Sequence, residues 1–170
     1  KKSQKAKECY EKAIEINPNY IPAYNNLGAI FNVSGEYQKA KDCYEKAIKV
    51  NPNYADARYN LGTIFDNLGE YRKAKECFEK VIEIDPNYTE SYWNLHGQSS
   101  NLEEALIILK KLYKINNKHT KAKIIIAALE GYKGNFDMFD DILNSPDSNH
   151  PFTRSIKWVF SLPKLPKIFF

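Results

Sequence analysis

Three asparagines at a fixed spacing are the residues of this sequence best suited to recognition chemistry. Asn26, Asn60 and Asn94 lie 34 residues apart, each one place before a leucine. A carboxamide carries donors and an acceptor on one flat end, which matches the amide group of a peptide backbone. A row of such groups would hold an extended chain without reading its side chains, so hydrogen bonding is the chemistry that we expect of them.

Catalysis and metal binding have no comparable pattern. The three histidines lack the spacing of metal ligands, no glycine-rich phosphate loop is present, and many carboxylates alternate with lysines as on solvated helix faces. Cys9, Cys43 and Cys77 share the 34-residue period but not the short spacing of a zinc site or redox pair. The sequence therefore predicts no enzyme, cofactor or metal site. It predicts packing cysteines that stay reduced, which fits a cytoplasmic location best.

Composition excludes two further classes of partner. No apolar run is long enough to span a membrane. The net charge of +4 is matched by four cations in residues 150–170, which contain no acid, so the preceding part is neutral in sum. A nucleic-acid surface would need a basic stripe there. The first residues, KKSQKAKECY, have the composition of a helix interior, so we expect a fragment of a longer protein.

Helical hairpins are the elements that must position the asparagines. In residues 55–88 apolar residues recur at helical spacing in two blocks, separated by LGEY. Gly69 lies where the first helix needs a left-handed cap, and Pro86 follows the second helix as a stop. Because a fixed period of this length is typical of repeat proteins, each unit is predicted to be one hairpin of an array.

The units resemble the tetratricopeptide repeat (TPR). The matching residues are Tyr24, Leu27, Gly28, Phe31, Ala40, Tyr44, Ala47 and Pro52 in one unit, and Leu61, Gly62, Phe65, Ala74, Phe78 and Pro86 in the next. Arg58 and Val81 depart from the pattern. The resemblance implies an all-α, right-handed superhelical solenoid of antiparallel helix hairpins. Small residues such as Gly28 and Ala40 would let paired helices approach closely, with the aromatics filling gaps toward the next hairpin.

The predicted organisation becomes less regular toward both ends. It comprises the second helix of a truncated repeat (1–20), two full repeats (21–54 and 55–88), a degenerate shortened repeat (89–119), a degenerate terminal repeat (120–145) and a C-terminal helix with an extended tail (146–170). Three residues are lost between Gly97 and Leu102, so the first helix there should be about one turn short. The tail is interpreted as a cap, a linker to a missing domain, or a docking element for a second copy.

The asparagines fall on one side of the first helix of each unit. With units numbered from 1, packing residues occupy positions 4, 7, 8 and 11. Positions 2, 5, 6, 9 and 13 lie on the opposite side, because a two-residue offset turns a helix by about 200°. The resemblance implies that this side lines a concave groove. The residues expected to contact a peptide there are Asn26, Asn60, Asn94, Asn25, Tyr59, Thr63, Trp93 and Asn67.

Alternatives remain for these residues and for the function. The asparagines also fit as common repeat consensus or as bonds to a neighbouring helix, and Tyr59 and Trp93 fit as partly buried packing. The acids Asp56, Asp66 and Glu90 favour a neutral or basic partner. We expect a protein-interaction scaffold that binds an extended peptide. The alternative is a structural or oligomerisation arm of a larger enzyme, such as a transferase or methyltransferase, and a homodimer is left open.

Overall fold

Eight α-helices and no strand make up the part of the chain that the structure, a computed structural model, describes, residues 2–135. In chain order they are α1 (Lys2–Ile16), α2 (Ile21–Val33), α3 (Tyr37–Val50), α4 (Ala55–Asn67), α5 (Tyr71–Ile84), α6 (Thr89–Gly97), α7 (Leu102–Ile115) and α8 (Thr120–Tyr132). The predicted all-α class is confirmed. The predicted C-terminal helix and tail, with the end of the terminal repeat, lie outside the described residues.

The helices form two compact units, divided between Gln98 and Ser99. In the first unit every helix packs on the next one in the chain, from α1 on α2 through to α5 on α6. In the second unit α7 packs on α8. Short turns between packed helices make antiparallel hairpins. Because α2–α3 and α4–α5 repeat the same hairpin, the first unit is a helical repeat array.

A glycine in the left-handed conformation ends α2, α4 and α8. Gly35, Gly69 and Gly134 have φ angles of 76°, 75° and 89°. At Gly69 the backbone N–H donates to the carbonyl oxygen of Asp66 at 3.0 Å, and the next N–H donates to that of Phe65 at 2.8 Å. This pair of bonds is a Schellman motif, which satisfies the last carbonyls of the helix. The left-handed cap predicted at Gly69 is confirmed.

A side-chain cap shapes the turn between successive hairpins. The side-chain oxygens of Asn17, Asn51 and Asp85 each accept a hydrogen bond from the backbone N–H two residues later, at 3.0, 3.0 and 2.9 Å. The same bond forms at Asn116, at 3.2 Å, although Asn117 replaces the proline found in the other turns. The turn after α7 therefore survives the loss of its proline because the preceding asparagine still caps it.

Arg58 departs from the repeat pattern but makes a bond that a tyrosine makes in the following unit. Its guanidinium donates to the carbonyl oxygen of Pro52 at 2.9 Å. The hydroxyl of Tyr92, at the equivalent position, donates to the carbonyl oxygen of Pro86 at 3.1 Å. Both bonds tie the start of a hairpin to the turn before it. The substitution therefore changes the residue and keeps the contact.

The core of each full hairpin is built around a contact between a glycine and an aromatic ring. A Cβ atom on Gly28 would lie 2.6 Å from Cε1 of Tyr44, and one on Gly62 would lie 2.7 Å from Cε1 of Phe78. Both rings are almost fully buried. Each ring lies on the glycine of its own hairpin, because the missing side chain leaves a notch that a flat ring fills. That aromatics also fill gaps toward the next hairpin stays a prediction.

Helix α6 is shorter than its counterparts. Helix α6 has 9 residues where α2 and α4 have 13, which is the loss of about one turn expected from the missing residues. Three of its residues, Ser91, Tyr92 and Leu95, are buried. The short helix therefore keeps its packing face although it has lost about one turn.

An ion pair replaces an aromatic ring in the second unit. Glu130 in α8 is at the position that Phe65 has in α4, where Lys73 Nζ lies 5.3 Å from the ring centroid. Glu130 is buried and pairs with Lys110 of α7. The hydrogen bond from Lys110 holds the pKa of the Glu130 carboxyl below its usual value. The two helices of this unit are thus joined by a charged contact as well as by apolar packing.

The glycine notch predicts an effect of substitution that depends on position. Gly62→Ala should lower the free energy of unfolding by about 1–3 kcal/mol, because the added methyl group overlaps Phe78. Gly97→Ala is the matched control, since nothing lies within 4 Å of its Cβ position. It should leave stability unchanged or raise it slightly, as alanine favours helix. Urea denaturation followed by circular dichroism measures both, and equal effects would contradict the notch.

Candidate functional site

The candidate site is one face of α2, α4 and α6 in the first unit. We call the inner face the side formed by Asn25, Asn26, Tyr59, Asn60, Trp93 and Asn94. Asn26 is exposed, and the other five are half-buried. The packing residues Leu27, Leu61 and Leu95 on the other side of the same helices are buried. The inner face is therefore polar, aromatic and partly open to a ligand.

The asparagines bond to the preceding repeat. Asn60 Nδ2 donates to Asn25 Oδ1 at 3.0 Å, and Asn94 Nδ2 donates to the Tyr59 hydroxyl at 3.1 Å. Both bonds join residues 35 apart, so they use the same geometry in successive repeats. The alternative in which the asparagines bond to a neighbouring helix thus describes Asn60 and Asn94. Each carboxamide has a second N–H and an oxygen that these bonds do not use.

Asn26 differs from the other two in its surroundings among the described residues. Its side chain is exposed and makes no hydrogen bond with another residue in the range 2–135. Substitution of Asn26 therefore tests the inner face without removing a hydrogen bond between the described repeats.

Tyr59 connects the inner face to the core. Its ring centroid lies 5.8 Å from that of Phe78 and 5.2 Å from that of Tyr88. Burial raises the pKa of the Tyr59 hydroxyl. The Tyr88 hydroxyl donates to Asp56 at 3.1 Å, so that carboxylate is engaged as well. Tyr59 is thus partly buried against its neighbours, as the alternative interpretation held, and presents mainly its hydroxyl to the inner face.

The remaining candidate residues, Thr63, Asn67 and Trp93, are not part of the two carboxamide hydrogen bonds between repeats. The Thr63 hydroxyl donates to the backbone oxygen of Asn60 at 2.7 Å, within α4. Asn67 is the last residue of α4 and is exposed. The ring of Trp93 lies 4.5 Å from that of His96, centroid to centroid, in a tilted arrangement. Trp93 is the largest half-buried side chain of the inner face.

An open cleft, which the sequence reasoning missed, lies beside Trp93. It has a volume of about 470 Å³ and is lined by Asp66, Tyr71, Trp93, Asn94, His96, Gly97 and Gln98. The Gln98 amide donates to Asp66 Oδ1 across the end of α6. The only signal of this cleft in the sequence was the loss of residues after Gly97. We call it the α4–α6 cleft.

Metal ligation and membrane insertion find no support in the part of the chain described. Within residues 2–135, His, Cys, Asp and Glu side chains do not gather in threes as a metal site requires. None of the helices α1 to α8 has the length and apolar character needed to cross a membrane. Cys43 and Cys77 are buried and unpaired, and burial raises the pKa of each thiol to about 11. These two cysteines are packing residues.

Comparison with known proteins identifies the repeats. A family model described as tetratricopeptide repeat matches residues 21–54 and 55–88, and another, described as TPR repeat, matches residues 2–32. No curated protein sequence matches the chain.

Solved structures with the same fold share little sequence with this chain. One is YrrB, described as a TPR protein with an unusual peptide-binding site, at 24% identity over 92% of this chain and 84% of that one, with a TM-score of 0.71. Another is MamA, at 18% identity over 89% and 85%, with a TM-score of 0.67. A third is MamA 41-end from Desulfovibrio magneticus RS-1, at 18% over 87% and 88%, with a TM-score of 0.70.

The bond between Asn94 and Tyr59 predicts a measurable coupling between repeats. In a double-mutant cycle of Asn94→Ala and Tyr59→Phe, we expect an interaction free energy of about 0.5–1.5 kcal/mol, as is typical of one hydrogen bond. Thermal and urea unfolding of the four proteins measure it. Asn26→Ala serves as the control and should not change stability. Purely additive losses in the cycle would rule out the bond.

The cysteines predict selective alkylation. A raised pKa lowers the fraction of reactive thiolate at neutral pH, and burial adds a steric block, so Cys43 and Cys77 should resist iodoacetamide. Cys9 is exposed and should react first. Peptide mass spectrometry over a time course, with a sample unfolded in guanidinium as the reference, distinguishes the three. Equal rates in the folded protein would contradict the buried positions.

Proposed function

The chain belongs to the tetratricopeptide repeat family, and on this premise we propose that its inner face binds an extended peptide segment through Asn26, Asn60 and Asn94. Proteins of this family are protein-interaction scaffolds and are generally non-catalytic. The finer proposal concerns the mechanism. Side-chain carboxamides would form hydrogen bonds with the backbone of the partner, with Asn25, Tyr59, Thr63, Trp93 and Asn67 around them, and no covalent bond would be made or broken.

The observation that carries this proposal is the fixed orientation of the carboxamides. Asn60 and Asn94 each donate one N–H to a residue of the preceding repeat, and this hydrogen bond restrains the side chain before a partner binds. A side chain that is already ordered loses less conformational entropy on binding. The carboxamide oxygen and the second N–H then remain for an acceptor and donor pair on the partner's backbone. The bond between repeats and the proposed ligand contact are therefore compatible.

The charge of the inner-face helices supports a neutral or basic partner. Helices α2, α4 and α6 contain the acids Asp56, Asp66 and Glu90 and a single lysine or arginine, Arg58. The guanidinium of Arg58 is bonded to Pro52 on the packing side. An acidic segment would meet repulsion without a compensating cation. The description of YrrB as having a peptide-binding site agrees with this use of the fold, and at 24% identity it supports no more than that.

Peptide capture with matched variants tests the proposal. The purified chain is screened against an immobilised library of random peptides, and the affinities of the strongest binders are measured by calorimetry. Asn26→Ala should weaken binding about three- to tenfold, which is the effect expected from the loss of one hydrogen bond. The melting temperature should not change. Asn53→Ala, in the exposed turn between α3 and α4, is the control and should bind like the wild type.

The triple variant Asn26→Ala, Asn60→Ala and Asn94→Ala gives the stronger test. It should bind no library peptide, and its melting temperature should fall because two bonds between repeats are lost. Circular dichroism at the binding temperature establishes that it is still folded. Full binding by the folded triple variant, or no binding by the wild type, would overturn the proposal. The second result would favour an arm that spaces or joins other domains.

A further inference from the structure

We propose that the α4–α6 cleft is a binding site for one basic side chain, an arginine guanidinium, of the partner segment. This inference rests on the proposed function, because the cleft adjoins the inner face and shares Trp93 and Asn94 with it. It adds a feature that carboxamides alone would not provide. Backbone recognition tolerates any side chain, whereas a site for one charged group selects among partners.

The cleft exists because the third repeat is short. Helix α4 continues to Asn67, whereas α6 stops at Gly97 after nine residues. The turn that α6 lacks would have packed beside the end of α4. Gln98 occupies only part of that space, where its amide reaches Asp66. All seven residues that line the cleft lie between Asp66 and Gln98, so the site belongs to this repeat boundary.

The groups that line the cleft suit a guanidinium. Asp66 uses one carboxylate oxygen for Gln98, and its second oxygen has no hydrogen-bonding partner among residues 2–135. The planar guanidinium of arginine carries several N–H donors, and their arrangement matches the oxygens of a carboxylate. Trp93 and Tyr71 supply aromatic surface, and Tyr71 is 60% exposed. Cations bind favourably over such rings, best of all over tryptophan.

The charges that line the cleft favour a positively charged ligand. No lysine or arginine lines the cleft, and its one carboxylate is that of Asp66. His96 is the one lining side chain able to carry a positive charge. An anionic ligand would face Asp66 directly, and a purely apolar one would leave that carboxylate partly desolvated without a partner. A cationic planar group satisfies the carboxylate and the rings together.

A single-residue probe tests the cleft without any peptide. Nα-acetyl-arginine N-methylamide is titrated into the ¹⁵N-labelled chain while the indole N–H signal of Trp93 is followed by NMR. The chain has two tryptophans, and Trp93→Phe identifies the signal by its loss. The titration is run at about pH 8, because an uncharged imidazole does not repel the guanidinium. We expect a saturable shift, and at least about fivefold weaker binding of the uncharged citrulline analogue.

The matched variants are Asp66→Asn and Glu79→Gln. Asparagine at position 66 keeps an oxygen that accepts from Gln98 and removes only the charge, so the cleft retains its shape. This variant should bind the arginine probe about fivefold more weakly or worse. Glu79→Gln removes one negative charge from an exposed position on α5 and should bind normally. Equal binding of arginine and citrulline probes, or an unchanged affinity in Asp66→Asn, would overturn the inference.

The two proposals fail in different ways. If the arginine probe binds through Asp66 while the library yields no peptide, the peptide proposal fails and the cleft is still a site for a basic group. If library peptides bind through the asparagines while the citrulline probe binds as well as the arginine probe, the cleft proposal fails alone. If both proposals hold, the library peptides that bind the wild type are enriched in arginine, and the peptides that bind Asp66→Asn are not.

Discussion

The contact between a glycine of one helix and an aromatic ring of the next is the interaction on which the first unit depends. Phe78 lies in the notch at Gly62, so the separation of α4 and α5 is set by the thickness of a ring. Phe78 also contacts Tyr59, whose hydroxyl accepts the bond from Asn94. The core contact of one hairpin therefore orients the polar group that joins it to the next. This series of contacts links the notch to the inner face.

The asparagines combine a structural and a proposed binding role. A carboxamide has enough donors and acceptors to bond a neighbouring repeat and a ligand at once, which neither leucine nor serine could do in the same geometry. An asparagine that recurs at one position is compatible with both roles. Within residues 2–135 Asn26 makes no hydrogen bond with another residue, so this position separates the proposed binding role from the contacts between repeats.

Departures from the repeat pattern are informative in different ways. Arg58 preserves a contact with the preceding turn through a different residue type. Asn116 preserves a turn after its proline is lost. Glu130 replaces an aromatic ring with an ion pair to Lys110. The shortening of α6 is the exception, because nothing restores the lost turn, and the α4–α6 cleft results. This departure, which is not compensated, is where the arginine site is proposed.

Local and periodic features of the fold could be predicted from the amino-acid sequence alone. The helical class, the hairpins, the left-handed cap at Gly69 and the shortening of α6 follow from spacing within a few turns, so they were predicted correctly. Contacts between residues of different helices depend on the positions of those helices relative to one another, and a small shift of one helix changes which atoms meet. Only the tertiary structure showed that Phe78 lies on its own hairpin's glycine, that Asn94 donates to Tyr59, and that Asp66 and Gln98 border a cleft. Periodicity places a residue on a face of a helix, and packing decides what that face meets.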